Sequence, residues 1–299
     1  MEHEESKGDE RDLHFAMFVT IAIMIIQILG FYLSNSLALL SDTVHVLSDL
    51  VAMAIGFIAL KMALKKPTEN RTFGFHRAEV FSAAFNGTML IVLTIFITIQ
   101  AVNRLFYPSD VTPLPLLFTA FIGLVGNVFV AVRLQKNENM NMHGIFLHVA
   151  GDALSSIGVL VGAIIIYITG LSIVDSIISL VIAVILSISA YHLIRNALSI
   201  LLESAPKNAT TENIIKILLS VNGVKDIHDV HIWSICSDIH YATAHVVVED
   251  KKISTTKEII DRLNEKIKKI GISHSTFQIE SMICKNNVCY TWHENNHTH

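Results

Sequence analysis

Six apolar runs set the terms on which this chain can fold. They cover residues 13–33, 37–64, 81–106, 114–132, 144–168 and 174–193, and each is close to the roughly 20 residues that cross a bilayer as a helix. Hydrocarbon offers no partner to a backbone N–H or C=O, so such segments fold as helices that satisfy their own hydrogen bonds. The rest of the composition agrees. Of 299 residues, 52% are hydrophobic and 16% charged, and the mean hydropathy is +0.53, more apolar than an ordinary soluble domain. The expected architecture is an α-helical membrane protein with six transmembrane helices.

Six spans place both termini on one side. The turn between spans two and three carries Lys61, Lys65, Lys66, Arg71 and Arg77, and the next turn on that side carries Arg133 and Lys136. The opposite turns hold only Arg104. The positive-inside bias then puts the termini in the cytosol, and the compact loops favour a bacterial cytoplasmic membrane. A net charge of −4 with no Lys/Arg-rich block excludes nucleic acid as a partner. Three cysteines, Cys236, Cys284 and Cys289, are too few and too late for a disulfide framework and read as thiols in a reducing compartment. The acidic start, MEHEESKGDERDLH, does not read as a cleaved signal peptide.

Beyond Pro206 the text turns to mixed charge and reads as helix (211–221), strand (224–235), strand (241–248), helix (255–270) and strand (275–280). That is a small α+β domain. The expected organisation is a cytosolic tail at 1–12, a six-helix transport domain at 13–204, a cytosolic metal-binding domain at 205–283, and a Cys/His-containing tail at 284–299.

Span two contains LLSDTVHVLSDL, in which His45 and Asp49 are four residues apart and share one helix face. Span five repeats the spacing in LHVAGDAL, with His148 and Asp152. These spans run in opposite directions, so contact between them puts His45 level with Asp152 and Asp49 level with His148. Each ionisable group at membrane depth costs on the order of 3 kcal/mol on insertion scales, which makes four of them in matched pairs an expensive packing device. Two imidazoles and two carboxylates suit tetrahedral Zn²⁺. Mg²⁺ and Ca²⁺ favour oxygen alone and Cu(I) favours sulfur, and no span contains cysteine. Asp42, near the outer end of its span, reads as an interfacial or helix-start residue. Small residues around the motifs (Gly56, Gly151 and Gly158 among them) are expected to let the helices approach closely.

The paired H-x-x-x-D motifs, the runs SNSLALLSDTVHVLSDLVA and FGFHRAEVFSAAFNG, and the junction NMHGIFLHVAGDALSSIGV resemble the cation diffusion facilitator family, in its zinc-transporting branch. The resemblance implies a homodimer that exports Zn²⁺ from the cytosol in exchange for H⁺, with a ferredoxin-like cytosolic domain holding further, regulatory metal. It implies a transport site of His45, Asp49, His148 and Asp152, with His45 rather than Asp pointing to zinc. In the cytosolic domain it implies metal at His228, His245 and Glu280, and Cys284 and Cys289 are further candidates. His228 and His231 differ by an odd number, so a regular strand points them to opposite faces, and His231, beside Trp233, reads as packing or interface.

The chain departs from its relatives in two loops. The turn KKPTENRTFGFHRAE has Arg71 and Phe75 where a second site's ligands would be sought, leaving His76 alone, and RLQKNENMNMHG offers only His143.

The segment His293-Glu294-Asn295-Asn296-His297 matches the H-E-x-x-H pattern of zinc proteases, but it sits in a poor helix-forming tail with no third ligand downstream. It reads as a metal-binding tail. No P-loop or nucleophile elbow occurs, so the expected function is secondary transport and not enzymatic. The alternatives are a membrane-tethered zinc sensor without flux, or a metalloprotease using that tail. Exchange follows from the ligands, because imidazole must be neutral to bind zinc and titrates ordinarily near pH ~6.5, so protons and metal compete for it.

Overall fold

Six long helices form where the apolar runs predict them: α1 (Glu2–Ser34), α2 (Leu37–Ala63), α3 (Arg77–Phe106), α4 (Pro113–Leu134), α5 (Met140–Thr169) and α6 (Ile173–Leu201). The computed structural model describes residues 2–135, 140–206, 209–249 and 253–281, without the side chains of residues 2–14, 60, 134, 140–148 and 253–255. Helix α1 starts well before the expected boundary at residue 13, and its membrane-crossing part is Phe15–Ser34. The chain divides into two compact units: Met1–Phe57 with Ala83–Ile194, and Ile58–Ser82 with Arg195–His299.

The first unit is a helical bundle whose outer surface is apolar, with Phe18, Phe96, Phe129 and Ile185 all exposed, as expected where hydrocarbon is the solvent. Inside it, Leu39 of α2, Leu90 of α3, Leu116 of α4, Val159 of α5 and Leu186 of α6 share one buried cluster. Close approach comes from glycines other than those flanking the motifs. A Cβ on Gly126 of α4 would come within 2.5 Å of Ile23 of α1, and one on Gly87 of α3 within 2.6 Å of Ile194 of α6. One on Gly56, Gly151 or Gly158 would meet nothing within 4 Å. The expectation for these three is therefore corrected, because they face away from the helix contacts.

Helix ends are set by local chemistry. Asn35 takes a left-handed backbone (φ +59) that ends α1, and Pro at the first turn of α4 follows an extended Thr112. The start of α2 is capped from another helix. The carboxylate of Asp175, on α6, accepts hydrogen bonds from Ser36 Oγ (2.5 Å) and from the backbone N–H of Leu37 (2.6 Å) and Ala38 (3.3 Å). An anion there satisfies orphan donors and opposes the positive end of the helix dipole. Arg104 of α3 completes the clasp, with Nη1 3.9 Å from Asp175 and both terminal guanidinium nitrogens, Nη1 and Nη2, donating to Asn35. The basic residue in the last turn of α3 is thus committed to the end of the very helix that carries His45 and Asp49.

In the second unit the order is α7 (Thr211–Leu219), β1 (Val224–Ser234), β2 (His240–Val248), α8 (Ile253–Lys268) and β3 (His274–Glu280). The sheet order is β1-β2-β3, with β2 antiparallel to β1 and parallel to β3. This is the ferredoxin-like arrangement expected, without its first strand. Ile214 and Leu218 of α7 and Ile259, Leu263 and Ile267 of α8 recur at four-residue spacing and pack on Ile227, Val230, Ile232, Ala242, Ala244, Val246 and Val248. The opposite face of the sheet is where His228 and His245 lie. The Ile58–Ser82 segment belongs to this unit: Phe73 meets Tyr241 edge-on (ring centroids 5.5 Å apart), Ser237 Oγ donates to Glu79, and Arg77 pairs with Glu203 at 3.2 Å. Arg71 stacks over Phe75 at 4.5 Å, so both residues of the departing loop are engaged with each other.

Candidate functional site

One imidazole sits between two carboxylates in the membrane unit. His45 Nδ1 is 3.5 Å from Asp49 Oδ2 one turn along α2, and His45 Nε2 is 3.3 Å from Asp152 Oδ1 on α5. One ligand atom from each of the three lies within 4.8 Å of the others. The antiparallel geometry that placed His45 level with Asp152 is what the two helices adopt. His148 occupies α5 one turn before Asp152, and its side chain lies outside the described residues. A neutral imidazole has a single N–H, so it cannot donate to a carboxylate on each side. The two carboxylates call for positive charge between them, supplied either by a proton on the ring or by a cation held among the three groups.

Asp42 departs from its expected place. It is 2% exposed, far from an interfacial position, and its oxygens accept from Gln27 Nε2 of α1 (2.6 Å) and from Ser155 Oγ (2.7 Å) and Ser156 Oγ (3.5 Å) of α5. Asn127 of α4 donates to Ser156 at 3.2 Å. Four helices are thereby tied together one turn beyond His45 in the direction of the Asp175 clasp.

The second cluster lies on the open face of the sheet. His228 Nε2 is 3.2 Å from Glu280 Oε2, His245 Nδ1 is 3.0 Å from Glu280 Oε1, and the two rings are 5.2 Å apart. Both nitrogens of His228, together with Glu280 Oε2, are buried without a hydrogen bond. Unsatisfied buried polar atoms are costly, and one ligand atom from each of His228, His245 and Glu280 lies within 4.8 Å of the others, close enough for one cation to meet all three. Asp229 is an addition that sequence reasoning missed: its Oδ2 is 3.4 Å from His245 Nε2 and its Oδ1 2.8 Å from His231 Nε2. The alternation argument for His228 and His231 is corrected for the same reason. A bulge between them pairs His228 with His245 and His231 with Thr243, and Asp229 absorbs the extra residue at φ +50, a conformation Asp tolerates. Both histidines therefore point to one face, with His231 at the exposed margin (47%). Cys284, Cys289 and the His293–His297 motif lie outside the described residues. Replacing His228 and His245 together by alanine in the full chain is expected to lower bound Zn²⁺ by at least one ion per protomer, measured by metal analysis after desalting. An unchanged content would return both to a structural role.

The comparisons with known proteins cover both units. The cation efflux transmembrane domain matches residues 13–202, and the cation efflux protein cytoplasmic domain matches 206–282. The chain is 35% identical to the cadmium, cobalt and zinc/H(+)-K(+) antiporter of Bacillus subtilis, over 94% of this chain and 92% of that one. It is 34% identical to the metal cation efflux system protein CzcD of Cupriavidus metallidurans (95% and 90%), and 32% identical to the zinc transporter ZitB of Pectobacterium atrosepticum (99% and 92%). With both domains matched in order and relatives aligned over nearly their full lengths, this multi-pass membrane protein belongs to the cation efflux family, the cation diffusion facilitators its paired motifs resemble.

Proposed function

We propose that the protein is a secondary transporter that exports Zn²⁺ from the cytosol in exchange for H⁺, working as a homodimer by alternating access. The observation that carries this reading is the His45 imidazole set between Asp49 and Asp152 at 3.5 and 3.3 Å. With His148 these groups form a two-nitrogen, two-oxygen set suited to Zn²⁺, and two carboxylates neutralise the ion where the dielectric is low. The same set holds either a metal ion or protons, since each ring binds the metal only when neutral. Facing a neutral cytosol, the site loads metal. Facing a more acidic exterior, the rings take protons and the metal leaves. Relatives named as zinc transporters and as metal/H(+)-K(+) antiporters support both the cargo and the exchange. Family membership also weighs for a transporter over an enzyme. The cytosolic cluster of His228, His245 and Glu280 is assigned a bound regulatory ion, and the termini are assigned to the cytosol of a bacterial inner membrane.

Zinc uptake into sealed proteoliposomes, at fixed voltage and with a zinc dye inside, tests the reading. Flux is expected to rise as the side receiving zinc is acidified, and His148→Ala is expected to lose that dependence along with most of its flux. Flux indifferent to the pH gradient would replace exchange with a facilitated pathway, and absence of flux would leave a zinc sensor.

A further inference from the structure

Asp229 keeps a left-handed backbone (φ +50) at the bulge of β1, and such a conformation in a residue other than glycine points to work done by its side chain. That side chain stands between two imidazoles. Its Oδ1 is 2.8 Å from His231 Nε2 and its Oδ2 is 3.4 Å from His245 Nε2. The other nitrogen of His245, Nδ1, is 3.0 Å from Glu280 Oε1. Each ring nitrogen of His245 therefore faces a different carboxylate, and the two carboxylates keep different company. Glu280 is shared with His228, whose Nε2 lies 3.2 Å from its second oxygen, and these three residues are the set within reach of one ion. Asp229 is shared instead with His231, at the exposed margin of the same face.

The inference rests on the bound regulatory ion of the proposed function. A neutral imidazole that binds a metal gives the lone pair of one nitrogen to the ion and keeps its proton on the other. For His245 the nitrogen beside Glu280 and His228 is Nδ1, so the proton sits on Nε2 and is directed at Asp229. A carboxylate in that position fixes the tautomer, holds the ring plane and raises the basicity of the ligating nitrogen. Charge agrees with this division. Zn²⁺ held by two neutral rings and the Glu280 carboxylate keeps one positive charge, which Asp229 balances from outside the coordination sphere. Regular alternation would send His231 to the opposite face of the sheet, so the bulge that sets Asp229 beside His245 also brings His231 round to steady its other oxygen. We propose that Asp229 is a positioning residue of the metal cluster on the sheet, which touches His245 and not the ion and makes Nδ1 the ligating nitrogen.

Zn²⁺ affinity of the detergent-purified full chain, measured by chelator competition in an Asp152→Ala background that disables the membrane site, tests this without reference to flux. The binding lost when His228 and His245 are also replaced by alanine identifies the ion on the sheet. Asp229→Gly keeps the left-handed backbone at no steric cost while removing the carboxylate, and is expected to weaken that ion's binding by about 10–100-fold. Asp229→Asn tolerates the same backbone and retains an acceptor oxygen, so its affinity is expected to fall between those of the parent and Asp229→Gly. Co²⁺ bound there in place of Zn²⁺ should keep its visible absorption bands in both variants, because the ligating atoms are unchanged. Parent affinity in Asp229→Gly overturns the proposal, as does Asp229→Asn binding no better than Asp229→Gly. Altered Co²⁺ bands overturn it too, by making Asp229 a ligand. Should Asp229→Gly not purify as a folded protein, Asp229→Asn decides, a loss of about threefold or more supporting the role and parent affinity ending it. If removing His228 and His245 costs no zinc, the regulatory ion falls and the positioning role with it. If it costs zinc while Asp229→Gly binds as the parent does, the ion stands and only the positioning role falls.

Discussion

Asp152→Ala is expected to abolish zinc flux in proteoliposomes while the chain still inserts and elutes as a folded protein. Asp152 is one of two carboxylates that neutralise the metal, and its Oδ1 lies 3.3 Å from His45 Nε2, so its loss removes both a ligand and half of the compensating charge. An ion left with net positive charge in a low-dielectric site is strongly disfavoured. The loss in metal affinity should therefore exceed the roughly 10–100-fold that removal of an outer-shell partner costs. Folding is not penalised in proportion, because an ionisable group at membrane depth is itself costly to insert. Asp49→Ala is expected to behave alike. Wild-type flux in either variant would remove these residues from the transport site.

His45→Asp is expected to preserve transport but loosen its selectivity. The substitution exchanges a borderline nitrogen ligand for a hard oxygen and adds a negative charge, and harder or larger ions then compete better with zinc. Competition assays should show Mn²⁺ and Cd²⁺ gaining on Zn²⁺ by on the order of tenfold, which is about 1.4 kcal/mol of relative binding. An unaltered ratio would mean that His45 does not touch the ion.

The level pairing of His45 with Asp152 is legible in sequence because two periodicities and one topological rule determine it. Four-residue spacing selects a face, and spans separated by an even number of crossings run antiparallel. The helices and strands beyond Pro206 are legible for a similar reason, since Ile214 with Leu218 and Ile259 with Leu263 mark their buried faces at helical spacing. What escapes is whatever depends on a partner distant in sequence. Asp42 looks like a helix-start residue until Gln27, 15 residues earlier, and Ser155, 113 residues later, close over it. The bulge at Asp229 defeats strand alternation because a single left-handed residue reverses the facing of everything after it. Gly56, Gly151 and Gly158 have the composition of contact residues, yet which glycines meet a neighbour is fixed by helix rotation, and Gly87 and Gly126 take that role.

The clasp on the first turn of α2 has a mechanical consequence. With Asp175 gripping Ser36, Leu37 and Ala38 and Asp42 tied to Gln27 and Ser155, α2 is fastened near this end, so a tilt of the helix pivots there. His45 lies eight residues from Leu37 and Asp49 twelve, so their distances from the pivot are about 12 and 18 Å. A swing of about 10° then carries His45 by about 2 Å and Asp49 by about 3 Å. Displacements of that size are comparable with the 3.3 Å between His45 and Asp152, so a small rocking of one lever arm suffices to disperse a coordination sphere that the opposite swing reassembles.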